Sequence, residues 1–403
     1  MITIFKKLGP GFVFAGAAIG VSHLVQSTRA GADFGFGLLW ALLLINAIKY
    51  PFFEFGPRYA SATGTSLIEG YRKLGKGMLI LYYGVTFASM FTIQTAVTIV
   101  TAGIASSLFG SGSVVFWTAV ITGVCTLILL LGRYKALDHL MKLIVLCLTV
   151  STVFAVLLVS PNTSSTSFEQ VLPTDAISIA FLIAFMGWMP APLDISIWHS
   201  TWTLEKKKMD TSIDAKQSRF DFNVGYLTTT LLAVGFLALG ALVMYQSGAS
   251  FSSNGTQFAN QLIDMYAFSL GDWARLIIGI AALTTMFSTT LTTLDASPRV
   301  MHRASEILFK KTWKRGYLLW LFVLVAGTLA IFLFFIAEMG TLIQIATVLS
   351  FLTAPFYAIG NYVLLTGKHT PEAARPSKGY RRYALFGILL LLAFSGWYIT
   401  TLF

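Results

Sequence analysis

Four side chains that could do chemistry lie inside apolar runs. His23 stands in AGAAIGVSHLVQSTRAG (15–31), and Asp194 ends GWMPAPLD (187–194). Lys49 and Glu54 share the run 37–57. An imidazole, a carboxylate and the Met189 thioether form a mixed N, O and S donor set that suits a transition metal. A histidine is also the side chain whose ordinary titration lies near neutral pH, so His23 can be read as a proton relay or as a hydrogen-bonding prop for its backbone. Asp194 has two further readings: it answers the Lys49 charge, or it caps a helix N-terminus. Lys49 and Glu54 are offset by about 140° on a helix, so they need not pair. Lys49 can pair elsewhere or snorkel. Ionisable groups in an apolar span are costly and mark function by default.

The elements that hold these residues follow from composition. The chain has 403 residues, 56% hydrophobic and 11% charged, with mean hydropathy +0.75. Soluble domains carry about 25% charged residues. A chain this apolar lacks the polar surface to cover a globule, so its solvent is a lipid bilayer. Runs of spanning length fall at about 9–31, 37–57, 79–108, 113–132, 143–160, 176–201, 223–245, 275–298, 316–337, 340–366 and 383–402, giving eleven spans. GSGS (110–113) is read as the turn between spans 3 and 4. The N-terminal run shows no cleavage pattern and is read as an uncleaved first span. Cys125 and Cys147 are isolated and read as buried packing residues.

All 28 Lys and Arg except Arg29, Lys49 and Arg275 fall in alternate connections. The net charge of +11 is therefore a topology signal, which removes the case for a nucleic-acid partner. It places the N-terminus in the cytoplasm and, with eleven spans, the C-terminus outside. The expected location is the inner (plasma) membrane, with the lipid bilayer and a small ion or solute as partners. No hydrolase, phosphate-loop, CxxC or HExxH signature is present, so neither enzyme activity nor a cofactor is expected.

Two spans are interrupted. Span 1 carries Gly16, Gly20 and Ser22, and span 6 carries Pro190 and Pro192 in its middle. Proline removes a backbone donor and clashes with the preceding turn. Interruptions at matching positions of two halves point to a transporter's site, because unwound backbone offers carbonyls and helix ends at the midplane. Spans 1 and 6 are five apart, and five is odd. The expected architecture is therefore two five-helix repeats of opposite orientation, 1–160 and 161–367, with an eleventh helix at 368–403.

GPGF (9–12), AGADFGFGLLW (30–40), ATGTSLIEGY (62–71), WHS (198–200), TTLTTLDASPRVMHR (289–303) and VLSFLTAPF (348–356) together resemble the Nramp family of divalent-metal transporters. The resemblance spans nearly the whole chain. It implies an all-α, LeuT-type inverted repeat with spans 1 and 6 discontinuous, and transport of a divalent cation by alternating access. The family's Asp-Pro-Gly-Asn in span 1 is replaced here by Gly20, Val21, Ser22 and His23. Its Ala-x-x-Met-Pro-His in span 6 falls, without a gap, on Met189, Pro192 and Asp194. A small shift would instead match Met189 and Pro190 to the family's Met-Pro. His199 matches the family's second span 6 histidine. Gln94 and Val97 stand where the family places acids on a proton route, and Ala346, with Gln344 nearby, where it has a glutamine.

The resemblance and the breaks together imply a substrate site of Gly20, Ser22, His23, Met189, Pro192 and Asp194. Metal would be held by His23, Asp194 and Met189. Lys49, Glu54, Gln94, His199 and Gln344 would couple or support the site. The alternative keeps the fold and changes the cargo to magnesium or a small organic solute, without transition-metal binding or proton coupling. Lys49 would then stand where other members use a cation or proton. The hydroxyls of span 8, Thr284 to Thr293, are read mainly as helix-packing groups.

Overall fold

The computed structural model describes residues 10–132, 148–159, 168–209, 215–245, 251–334 and 339–402. Lys6, Lys7, Cys147, the basic connection 133–142, residues 161–167 of the connection 161–175 and part of span 5 lie outside them.

Among the described residues the regular elements are all helical. Span 1 is built from α1 (Pro10–Ala18), a π-helical segment (Ser22–Ser27) and α2 (Thr28–Phe34). α3 (Leu39–Thr63) corresponds to span 2, and α4 (Leu67–Leu74) is a short amphipathic helix. α5 (Lys76–Phe109), α6 (Val114–Leu130) and α7 (Leu148–Leu158) follow. Span 6 comprises α8 (Ala176–Trp188) and α9 (Ile195–Met209). α10 (Ala215–Leu239) runs into a second π-helical segment, Gly240–Met244. The remainder are α11 (Gly255–Leu270), α12 (Ala274–Phe309), α13 (Gly316–Phe334), α14 (Met339–Thr366) and α15 (Lys378–Thr400).

Six of these helices are long and apolar enough to cross a membrane: Lys76–Phe109, Lys216–Met244, Ala274–Phe309, Gly316–Phe334, Met339–Thr366 and Lys378–Thr400. Their outward faces are apolar, with Leu276, Phe322, Leu333 and Leu389 among the exposed large side chains. That is the surface a lipid solvent requires and water penalises.

Local signals explain the ends. The GSGS turn lets the chain leave α5 through Gly110 and Gly112 in positive φ (61° and 82°), and Ser113 then caps α6 through the Phe116 N–H. Ser66 and Glu69 form a capping box on α4. Asp175 caps α8, and the hydrogen bond from the Ser178 N–H, 2.9 Å away, holds its carboxyl below the usual carboxylate range. Two helices lie in segments that the sequence shows only as connections: α4 within 58–76, and α11 within 246–274. The amphipathic face of α11 packs on α5 and α12, and Asn254 caps it.

Two sets of helices are closely packed, with α14 touching both. α1, α3, α9 and α10 pack on one another. α5, α6, α12 and α13 pack on one another and share a separate apolar core that includes Met90, Ile121, Leu291, Met301 and Trp320. Close approaches inside the first group depend on glycine. Gly11 and Gly225 sit where α1 and α10 cross, and Gly56 lies against the Ser196 carbonyl of α9. Small residues at such crossings let backbones touch where lipid supplies no hydrophobic drive for association.

Candidate functional site

The first break follows from Gly20. α1 ends at Ala18, and the chain resumes as a π segment at Ser22. A Cβ on Gly20 would lie 2.9 Å from Cγ2 and 3.0 Å from Oγ1 of Thr289 on α12. Glycine therefore lets α12 reach the break. Thr289 Oγ1 lies 3.1 Å from the Ile19 carbonyl, an acceptor that the interrupted helix leaves without its usual partner, and 3.1 Å from its own Thr285 carbonyl.

Ser22 and His23 brace the same turn. Ser22 Oγ lies 2.8 Å from the Ala18 carbonyl and 2.7 Å from His23 Nδ1. His23 Nε2 donates to the Thr229 carbonyl of α10 at 2.9 Å. A carbonyl accepts only, so the Nε2 proton is set by this contact. Both ring nitrogens are thus engaged inside the protein, and His23 is fully buried.

The second break follows from two prolines. α8 stops at Trp188, and Met189 to Asp194 run outside helix until α9 begins at Ile195. Pro190 and Pro192 cannot donate, so the last carbonyls of α8 have no helical partner. Lys49 of α3 supplies one. Its Nζ lies 2.7 Å from the Gly187 carbonyl, 2.8 Å from Met186 and 3.3 Å from Ala191. Asp194 stands at the opening of α9, where an acid is favoured by the helix N-terminus. It is 7% exposed, and its Oδ1 has no hydrogen-bond partner among the described residues.

The two breaks touch. Ser22 Oγ is 3.3 Å from the Pro190 carbonyl, and Ser27 Oγ is 3.9 Å from Met189 Sδ. Beside this contact lies a cavity of about 30 Å³. It is lined from the first break by Gly20, Val21 and Ser22, and from the second by Trp188 and Pro192. Ala17 and Ala18 of α1, Ile93 and Val97 of α5, Ile195 and Trp198 of α9, and Thr289 and Thr293 of α12 complete it. Space for a water begins at roughly 10–15 Å³ on a comparable measure, so the cavity is the size of one or two waters or a small ion.

The sequence-predicted residues divide accordingly. Gly20, Ser22 and Pro192 line the cavity, and Met189 and His23 sit behind it on the two breaks. Gln94 lies on the α5–α12 seam, accepting from Thr293 Oγ1 (2.7 Å) and donating to Thr98 Oγ1 (3.1 Å) and to the Thr290 carbonyl (3.2 Å). His199 stacks on Phe14 at 5.5 Å, and its buried Nδ1 has no partner among the described residues. Glu54 sits at the far end of α3 with Arg58 at 3.3 Å, Arg219 at 3.8 Å and the Tyr380 hydroxyl at 3.5 Å. Gln344 is exposed on α14 and lines no part of the cavity.

Among the described residues, no three of His, Cys, Asp and Glu converge on one point. Trp188, Thr229 and Ile93 were not singled out from sequence. Trp188 was legible as the last residue before Met189–Pro190, whereas Thr229 acts through its backbone and left no signal.

The family model described as "Natural resistance-associated macrophage protein-like" (Nramp) matches residues 11–401. An uncharacterized protein of Pasteurella multocida is 36% identical, over 97% of this chain and 91% of its own. The divalent metal cation transporter MntH of Deinococcus radiodurans is 23% identical, over 71% of this chain and 66% of its own. A solved manganese transporter of Eremococcus coleocola superposes with a TM-score of 0.71 at 12% identity, covering 96% of this chain and 84% of that one, which shows a shared fold. Taken with the lipid-facing helices, the match over almost the entire chain means that this protein belongs to the Nramp family, whose members are multi-pass membrane transporters and not enzymes.

Proposed function

We propose that the chain carries a divalent metal cation across the plasma membrane by alternating access, through the cavity where the two breaks meet. That contact is the observation that carries the reading: two interrupted helices, 168 positions apart, meet at 3.3 Å beside an ion-sized space. Its lining is mostly apolar, with Ser22, Thr289 and Thr293 as its hydroxyl-bearing residues. Gly20, Ser22 and Pro192 would meet the cation first, with Met189 behind them. His23 or Asp194 would join after a side-chain rearrangement.

The architecture we propose is eleven spans in two inverted repeats, 1–160 and 161–367, with 368–403 as the last span. The N-terminus would be cytoplasmic and the C-terminus outside. The mutual packing of α5, α6, α12 and α13 around their own apolar core supports movement of these four helices as one body. The test is uptake into proteoliposomes. Manganese uptake that saturates and fails in Gly20→Val supports the reading, whereas magnesium or solute uptake without manganese binding replaces it. That second outcome has one observation in its favour: no carboxylate lines the cavity.

A further inference from the structure

An ammonium group has three N–H donors and no acceptor. At Lys49 all three have a destination, since the carbonyls of Gly187, Met186 and Ala191 lie at 2.7, 2.8 and 3.3 Å from Nζ. Lys49 is fully buried. None of the three acceptors is a side chain. They are backbone oxygens presented by the end of α8 and by the extended stretch after it. The C-terminal end of a helix carries a partial negative charge, and here the chain turns it onto one point. Asp194, on the other side of the same break, lies within electrostatic reach of Lys49. Its Oδ1 is buried without a hydrogen-bond partner.

We propose that these oxygens form a monovalent-cation site, and that its permanent occupant is the chain's own Lys49 ammonium. The oxygens at 2.7–3.3 Å are spaced for an ammonium ion. A diffusible cation there would bind and leave with the state of the transporter. A tethered one cannot leave, so the charge at the second break stays constant through a transport cycle and draws on no monovalent-ion gradient. The last consequence rests on the transport reading above. The site itself does not.

The site is tested on full-length protein in detergent, by thermal melting without any transported substrate. Lys49→Ala removes the ammonium and a stem with the volume of propylammonium. The variant is expected to melt well below wild type. Millimolar propylammonium is expected to restore most of the lost melting temperature in a saturable manner. Equal 1-propanol, which fills the volume without charge, and choline chloride at matched ionic strength should not. Wild type should be unmoved by all three. Rescue by propanol as effective as by propylammonium, or no loss in the variant, overturns the proposal.

Lys49→Met covers the case in which Lys49→Ala does not fold. A stem that merely packs predicts a variant at least as stable as wild type, because apolar groups often replace buried charges without loss. The cation site predicts a lower melting temperature, with three carbonyls left unpaired. Lys49→Met melting at or above wild type overturns the proposal. Failure of manganese uptake would defeat the transport reading and leave these melting outcomes standing.

Discussion

Ser22 Oγ lies 3.3 Å from the carbonyl oxygen of Pro190, so two stretches that interrupt different helices share one contact. Around it, five freed carbonyls have a side-chain polar group close by. Ala18 has Ser22, Ile19 has Thr289, and Met186, Gly187 and Ala191 have Lys49. In lipid no water satisfies such groups, so interrupted helices persist only where the protein does. Each assignment makes a measurable statement.

Gly20→Ala places a Cβ 2.9 Å from Thr289 Cγ2 and forces α12 away from the first break. The expected cost is about 1–3 kcal/mol of stability, the usual range for overpacking. Uptake should fall with it. Thr289→Ser, which deletes the clashing methyl, should recover part of the melting temperature in the double variant. A Gly20→Ala protein as stable as wild type would show that the approach of α12 is not tight.

His23→Ala removes the donor to the Thr229 carbonyl and the acceptor for Ser22. Ser22 keeps the Ala18 carbonyl and the Thr229 carbonyl lies inside α10, so the expected loss is that of a buried hydrogen bond, about 0.5–1.5 kcal/mol. His23→Gln retains an amide donor that can reach Thr229, and is expected to regain melting temperature relative to Ala. Calorimetric titration with manganese then separates brace from ligand. Unchanged affinity in His23→Gln assigns His23 to bracing alone, and a large loss of affinity assigns the imidazole to the metal.

Gln94 and Thr293 tie α5 to α12 at 2.7 Å. Gln94→Leu and Thr293→Val should each destabilise, and the double variant should lose less than the sum. A double-mutant coupling of about 0.5–3 kcal/mol in chemical or thermal unfolding is expected for such a buried pair. Strict additivity would mean that the seam does not depend on this bond.

His199 offers the opposite expectation. Its ring stacks on Phe14, and its buried Nδ1 has no partner among the described residues. His199→Phe keeps the ring face and removes the unpaired nitrogen, so melting temperature should hold or rise by a few degrees. If uptake is also preserved, His199 is a packing residue in this chain. Lost uptake with preserved stability would restore a role in coupling.

The sequence by itself determined the solvent, the helical class and the two breaks, although Pro51, Pro57, Pro298 and Pro355 lie inside unbroken helices. Apolar runs of spanning length and basic residues in alternate connections are local properties. So is the inability of Pro190 and Pro192 to continue a helix. Gly20, Ser22 and Pro192 were legible for that reason. Contacts across the fold were not. The Lys49 spacing to Glu54 says nothing of an acceptor site 137 to 142 positions away, built from backbone oxygens that carry no residue signature. Thr229 holds His23 through a carbonyl that any residue would supply. The helix α11 was hidden because its amphipathic pattern is weaker than a span's and lies in a connection. Tertiary structure alone decided that the two breaks touch, that His23 is braced on both nitrogens, and that the Lys49 charge ends on the open carbonyls of α8. Backbone groups in lipid must find partners inside the protein, and which partner each finds is a matter of three-dimensional proximity.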